Sequence, residues 1–559
     1  MSILSALDPQ QRAAAECVSG PVVIYAGAGT GKTRTITHRI AHGVASGVYE
    51  PTQTLAVTFT TRAAGELRSR LTTLGVTGVQ VRTFHSAALR QLRFFHAQVF
   101  DKPMPTLVPS KFRFVSEAAN LCAVRNDQDS IRDIASEIEW AKVNIMSPAA
   151  YREHVLAGKR SAGTEVAPEL IAKVYEAYLS VLDDNNVMDF EDVLLYMTAI
   201  MSNFPEVADQ VRRQYRYFTV DEFQDVSPAQ FELLSLWLGN RRDLCVVGDP
   251  AQTIYSFSGA TSTYLTSFGD HFQDASHFEL GNSYRSAAPI IKVANEIISK
   301  QASVELKSIR GAGPKVSLNT YSHDEAEAAA VAEEVRSLIN SGTPARDIAV
   351  LFRVNSQSAL IEAELGNRGV AYTLRGAERF FERPEVKGAV LALRATAAGN
   401  IDNALGTIVR DVLSGSGWRR EMPDAGRAAQ ETWESLNTLV DLADEFALTH
   451  EASSVRDFVA HLDLRSDQEH APTANAVTLA SIHAAKGLEW DSVFVIGLSD
   501  GLLPISRAKT PAAHLEERRL LYVAVTRAKN NLFLSWSKAR HSDGKAHRSP
   551  SPFLADLSL

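Results

Sequence analysis

At 559 residues, with 45% apolar and 22% charged residues, the chain is too long for one core and ordinary enough in composition to predict two to four globular domains. Its net charge of −8 excludes a general polyanion coat but leaves room for a local basic groove. Three widely separated cysteines (Cys17, Cys122, Cys245) exclude a disulfide framework, a zinc knuckle and an iron–sulfur cluster, and no apolar run reaches the roughly twenty residues of a membrane span. The start, MSILSALDPQQ, lacks a signal peptide's charge and apolar core, so a cytoplasmic location with no membrane partner is expected.

In chain order, strand-like runs at Val22–Tyr25, Thr54–Phe59, Arg216–Asp221 and Asp243–Gly248 alternate with helix-compatible segments in the first half. Ile348–Phe352, Val477–Ile482 and Ser492–Gly497 repeat the layout in the second. Such alternation predicts parallel sheets covered by helices on both faces. Residues 101–188 and 395–472 are helical in pattern, without clear strands. The expected class is therefore α/β, with two parallel-sheet cores in tandem, each carrying a helical insertion. The first core spans 1–100 and 189–275, and the second spans 276–394 and 473–559. Basic residues bunch at Arg62, Arg68 and Arg70, at Arg82, Arg90 and Arg93, and at Arg518, Arg519, Arg527 and Lys529. On charge alone these read as solvated helix faces.

The segment VVIYAGAGTGKTR, Val22 to Arg34, runs from a strand through small residues into a helix. That order suits a triphosphate cradle: glycines let backbone N–H groups close on phosphate oxygens, and the helix N-terminus adds its dipole. The loop comprises Ala26, Gly27, Ala28, Gly29, Thr30, Gly31, Lys32 and Thr33, with Ala26 where the strict pattern has glycine. Lys32 reaches the β/γ-phosphates, and the Thr33 hydroxyl suits Mg²⁺. The Asp221-Glu222 pair at the end of a strand is the usual partner of such a loop. Asp221 holds Mg²⁺, directly or through water, and Glu222 activates or orients the attacking water. Gln252, close behind the strand ending in Gly248-Asp249, is placed to sense the γ-phosphate. Tyr255 and Phe257 offer flat faces for bases, or else ordinary buried packing.

Together these segments resemble the UvrD/Rep/PcrA family of superfamily 1 DNA helicases, in family order from Leu7 to Leu554. The resemblance implies RecA-like cores that sandwich ATP. LDPQQ, Leu7 to Gln11, resembles the Q motif and implies that Gln11 reads adenine; Arg34, closing motif I, is implied to touch the nucleotide. TFTTRAA from Thr58 and TFHS from Thr83 resemble motifs Ia and Ib. They imply a single-strand path lined by Thr83 and His85, with Phe59 stacking. MDFED, Met188 to Asp192, resembles the short motif that re-enters the first core. Asp221–Asp225 and Gly248–Ala260 resemble motifs II and III. NSYRS, Asn282 to Ser286, resembles motif IV and implies that Tyr284 stacks on adenine and Arg285 meets the γ-phosphate. FRVN, ending at Asn355, resembles a DNA-contacting segment. HAAKGLE, His483 to Glu489, resembles motif V, with His483 on DNA and Glu489 at the ribose. Motif VI is resembled from Glu517 to Ala528, which implies an arginine finger at Arg527.

The implied activity is ATP- and Mg²⁺-dependent 3′–5′ movement along single-stranded DNA, with unwinding of 3′-tailed duplex, in repair or replication restart beside other repair or replication proteins. Departures accompany the resemblance. Pro250-Ala251 replaces acidic residues in motif III, Phe257 stands in the tryptophan place and Ser258 in the arginine place, and Thr61-Arg62 replaces Asn-Lys in motif Ia. The second insertion, 395–472, is shorter than in the well-known members. No nuclease segment or C-terminal accessory module is expected. The alternatives are a single-strand translocase that needs a partner to unwind, and a regulatory DNA-stimulated ATPase without directional movement.

Overall fold

The computed structural model describes the chain apart from residues 1–2, 125–127, 161–165, 300–302, 355–356, 376–383, 398–403, 422–432, 434, 438, 441, 445, 448–453, 468–474, 507, 541–546 and 559. It has two units, one of Met1–Tyr284 with Ile298–Ile309, the other of Arg285–Ile297 with Arg310–Leu559.

The first unit is built on six parallel strands: β1 (Val22–Ala26), β2 (Thr54–Thr58), β3 (Gln80–Thr83), β4 (Tyr217–Val220), β5 (Leu244–Gly248) and β6 (Ser276–Leu280). Their order is β3-β2-β4-β5-β1-β6, with Val23 opposite Val246 and His277. Successive side chains face opposite sides of the sheet. Val23, Leu55, Val57 and Val246 pack with Phe84, Leu92, Met197 and Trp237. Val22, Ile24, Ala56 and Val247 pack with Ile36, Ile40 and Leu67 on the other face. Burial on both faces explains why the inner strands read as continuous apolar runs.

Strand β6 corrects the expected boundary between the cores. Ser276–Leu280 falls where the second core was to begin, yet it pairs with β1. From Ser276 to Glu279 its residues alternate between half-buried and exposed and include His277 and Glu279, as an edge strand allows; Leu280 alone is buried, so no apolar run marked it.

Between β3 and β4, four helices (Phe112–Leu121, Gln128–Val143, Pro148–Leu156 and Pro168–Asp184) surround a separate core that includes Phe114, Ile134, Tyr151 and Tyr178. Thr106–Leu107 pairs in parallel with Val187–Met188 at its base. Directly after that pair, Asp189 and Asp192 receive the buried Lys142 ammonium at 2.7 and 2.8 Å, and the Tyr178 hydroxyl donates to Asp189 at 2.7 Å. This ties the helical segment to the chain re-entering the sheet layer.

The second unit repeats the plan with β7 (Ser317–Tyr321), β8 (Ile348–Phe352), β9 (Tyr372–Arg375), β10 (Val477–Ser481), β11 (Trp490–Val495) and β12 (Ala528–Ser537). All pair in parallel, in the order β7-β12-β11-β8-β10-β9. Ile348, Val350, Phe352, Val477, Leu479 and Phe494 form its core with Val331 and Val335. Helices Pro384–Thr396, Leu405–Gly415 and Val455–Asp467 contribute to another apolar cluster that includes Leu393, Val409, Leu439 and Phe458. Two six-stranded parallel sheets make this an α/β protein with RecA-like cores.

Candidate nucleotide site and nucleic-acid surface

In the first unit, β1 ends at the buried Ala26, and the chain turns through Gly27–Gly31 into the helix Lys32–Ala45. Gly29 and Gly31 adopt φ of 75° and 82°, where a side chain is strained, and Gly31 caps the helix without a side-chain hydrogen bond. The Thr30 hydroxyl donates to the Gly27 carbonyl at 2.9 Å. A Cβ on Gly27 would come within 2.4 Å of Leu306 Cδ2, and one on Gly31 within 2.7 Å of Gln11 Nε2. The loop is therefore held closed by small residues, with a helix N-terminus at its mouth. Ala28 is buried and Thr33 half-exposed.

Strand β4 delivers Asp221 and Glu222 to the same place. Lys32 Nζ lies 3.4 Å from Glu222 Oε2. Asp221 is buried, and its carboxyl is pushed up to about 7, by burial first and by Glu222 second, with Lys32 opposing both. Glu222 sits in the left-handed region (φ 51°, ψ 41°), a strained conformation for a non-glycine residue, and its N–H donates to Asp221 Oδ1 at 2.9 Å. Two carboxylates, one lysine and a glycine-bounded helix end suit a Mg²⁺–triphosphate. Among the described residues no group of three or more His, Cys, Asp or Glu forms a metal site of its own, so phosphate oxygens would have to complete the coordination.

A residue without an assigned role in the sequence lies at the centre of this network. The buried Gln224 donates from Nε2 to Glu222 Oε2 at 2.6 Å and to Asp225 Oδ2 at 3.1 Å, while its Oε1 accepts the Asp249 N–H at 3.0 Å. Asp249 in turn accepts from Gln252 Nε2 at 2.8 Å and from the Ala251 N–H at 3.0 Å. Gln252 is buried within this network.

Around the loop, Gln11 Nε2 donates to the Thr30 carbonyl at 2.9 Å and Arg34 to the Ala6 carbonyl at 2.5 Å. The Tyr284 N–H donates to the Gly29 carbonyl at 2.9 Å, and its hydroxyl donates to Asp8. Burial and Asp8 push the Tyr284 phenol up to about 12. Gln11, Arg34 and Tyr284 are thus gathered at one loop.

In the second unit, Arg285 Nε donates to Glu489 at 2.6 Å and Nη1 donates to the Thr526 carbonyl at 3.1 Å. Lys529 Nζ reaches the other Glu489 oxygen at 3.0 Å. Burial alone would raise the Glu489 carboxyl, but Arg285 and Lys529 together hold it at about 2. Arg527 is buried; its guanidinium donates to the carbonyls of Val523 at 2.9 Å and Leu488 at 3.1 Å.

Of the residues expected on DNA, Phe59 and Tyr255 stand with rings 6° from parallel and centroids 6.4 Å apart, and Phe257 meets Tyr255 edge-on at 6.1 Å. Phe59 and Phe257 are exposed. Thr83 caps the helix Phe84–Val99, its hydroxyl oxygen accepting the Ser86 N–H at 3.1 Å. The His85 ring packs against Phe190 at 3.8 Å, and burial lowers its pKa to about 4, so it is a neutral imidazole at pH 7. The exposed ring at that point is Phe190, which the sequence placed in a motif without a role. His483 lies half-exposed in the turn after β10, and Asn355 falls outside the described residues.

The comparisons with known proteins agree with this geometry. A family model described as the UvrD/REP helicase N-terminal domain matches residues 7–273, and one described as the UvrD-like helicase C-terminal domain matches residues 278–422 and 417–539. The chain is 44% identical to the ATP-dependent DNA helicase UvrD2 of Mycobacterium tuberculosis (strain ATCC 25618 / H37Rv), over 100% of its own length and 82% of the relative's. It is 30% identical to UvrD1 of the same strain, over 99% of the chain and 85% of the relative. Identity to PcrA of Bacillus subtilis (strain 168) is 28%, over 99% and 86%. A phosphate loop closed on an Asp-Glu pair, two RecA-like sheets and matches along nearly the whole chain lead to one conclusion: the chain belongs to the UvrD/PcrA family of helicases.

Proposed function

We propose that the protein is an ATP-dependent DNA helicase that moves 3′ to 5′ along single-stranded DNA and unwinds 3′-tailed duplex, serving repair or replication restart in the cytoplasm. One observation carries the reading: the short segment Asp249–Phe257 holds Gln252 in the carboxylate network and Tyr255 in the parallel ring pair. A shift of this segment alters both the nucleotide side and the stacking side.

In this reading Lys32 leaves Glu222 for the β/γ-phosphates, and the freed carboxylate orients the attacking water and accepts its proton. Gln252 meets the γ-phosphate. Arg285 and Arg527, from the second unit, neutralise charge developing on it; Arg527 must first release the carbonyls it now holds. Thr33 and Asp221 would hold Mg²⁺ with the nucleotide, and the ion would supply further neutralisation of phosphate charge. Gln11 and Tyr284 hold the adenine, Arg34 contacts the nucleotide and Glu489 meets the ribose. Phe59, Tyr255 and Phe257 stack on bases. Thr83, His85, Asn355 and His483 line the strand.

The test is steady-state ATP turnover with and without single-stranded DNA. The proposal expects strong stimulation by DNA and its abolition by Lys32→Ala. DNA-independent turnover would overturn it.

A further inference from the structure

The Gln224 amide is fully committed. It lies in the first unit's interior with no solvent exposure. Its Nε2 faces two carboxylates, Glu222 at 2.6 Å and Asp225 at 3.1 Å, and its Oε1 faces the Asp249 N–H at 3.0 Å. These partners fix the amide's orientation, because a flipped group would set oxygen against two carboxylates and N–H against N–H. The fit also depends on Gly248, where a Cβ would come within 2.5 Å of Gln224 Oε1 and 3.2 Å of the Gln224 backbone nitrogen. The end of β5 is thus bare on the side where it meets Gln224. On its far side, the Asp249 carboxylate binds Gln252 Nε2 at 2.8 Å and the Ala251 N–H at 3.0 Å.

We infer that Gln224 is a positioning residue for hydrolysis: it holds the Glu222 carboxylate where it orients the attacking water and fixes that orientation to the Asp249–Gln252 turn. This rests on the reading of Glu222 as the residue that orients water. The physical case is a competition for one oxygen. Glu222 Oε2 receives both Lys32 and Gln224, and Lys32 is the weaker contact at 3.4 Å. When Lys32 transfers to phosphate, the Gln224 hydrogen bond keeps the Glu222 side chain from rotating away. Hydrogen bonds to charged groups are among the stronger ones, and the Gln224 amide that donates this one has no solvent exposure. The same amide transmits any shift of the Asp249 turn to Glu222, along a continuous chain of hydrogen bonds.

The experiment compares Gln224→Glu and Gln224→Met in the full chain with single-stranded DNA and Mg²⁺-ATP. Misplacement of a catalytic group by a fraction of an ångström to 1 Å costs about 10- to 100-fold in rate, so kcat should fall by that factor in both variants with the KM for ATP within about twofold. A cycle with Gln252→Ala should show coupling of at least about twofold in kcat, as linked residues do. Circular dichroism and binding of a fluorescent ATP analogue identify a variant that fails to fold; the other variant then decides. Wild-type kcat in a folded variant overturns the inference. Absence of DNA-stimulated turnover in the wild type overturns the functional reading itself, a separate outcome.

Discussion

Phe59 and Tyr255 face each other across 6.4 Å with their rings 6° from parallel. Seating one flat base between them takes about 7 Å, two stacking distances of about 3.5 Å each, so the rings must part slightly to admit it. Phe59 follows β2 and Tyr255 follows β5, so strands far apart in sequence build one slot at the same end of the sheet.

Replacing either ring should weaken binding of single-stranded DNA. Phe59→Ala and Tyr255→Ala should each cost about 1–3 kcal/mol at fixed salt, the range measured for base–aromatic stacking. The double variant should cost less than the sum, because one base touches both rings. Fluorescence anisotropy with a short oligonucleotide reads this directly; additive or negligible losses would show that no shared base lies there.

Asp221 makes a prediction about pH and stability. Its pKa in the folded chain is about 7, above the ordinary value of 3.8, so ionisation opposes folding. Its contribution is fully present at and below the unfolded pKa and is lost as pH rises through about 7. Asp221→Asn removes that loss. The nucleotide-free variant should melt at least about 2 °C above wild type at pH 8, with the difference vanishing near pH 4, while ATP turnover collapses. A variant that melts lower at pH 8 would contradict the account.

Lys142 makes a prediction about the helical segment between β3 and β4. Lys142→Met leaves Asp189 and Asp192 without the ammonium they share at 2.7 and 2.8 Å. Removing one partner of a buried ion pair costs about 3–5 kcal/mol, so urea unfolding should move to markedly lower midpoints. A change under about 1 kcal/mol would show that water already reaches the pair.

Arg285 and Glu489 separate chemistry from stability. Glu489 is partly exposed, so breaking its pair with Arg285 should shift the melting temperature little. Arg285→Ala should still lower ATP turnover by at least about 100-fold, as loss of a charge-stabilising arginine does. The Glu489 carboxyl, now near 2, should rise in that variant, read by carbon-detected NMR titration. Near-normal turnover would remove Arg285 from the reaction.

Much of this was legible in the chain because some residues carry meaning locally. The loop from Ala26 to Thr33 needs glycines at particular backbone angles, and β1, β2, β4, β5, β8, β10 and β11 are buried runs of apolar residues. The edge strand β6 and the long β12, which opens on Ala528-Lys529-Asn530-Asn531, dilute that signal with polar residues and were not visible. Gln224 was hidden for a different reason. Its role depends on meeting Asp249, 25 residues away, and on the bare Gly248 beside it, a juxtaposition that only the folded sheet creates. His85 and Phe190 are likewise distant in sequence, and only their stacking shows which ring faces outward.

The most direct test of the central claim is strand displacement by the purified chain on duplexes carrying a 3′ tail or a 5′ tail, with Mg²⁺-ATP, beside Lys32→Ala. The account predicts unwinding of the 3′-tailed duplex by the wild-type protein, little on the 5′-tailed one, and none by the variant. No unwinding of the 3′-tailed duplex, or equal unwinding by Lys32→Ala, would contradict it.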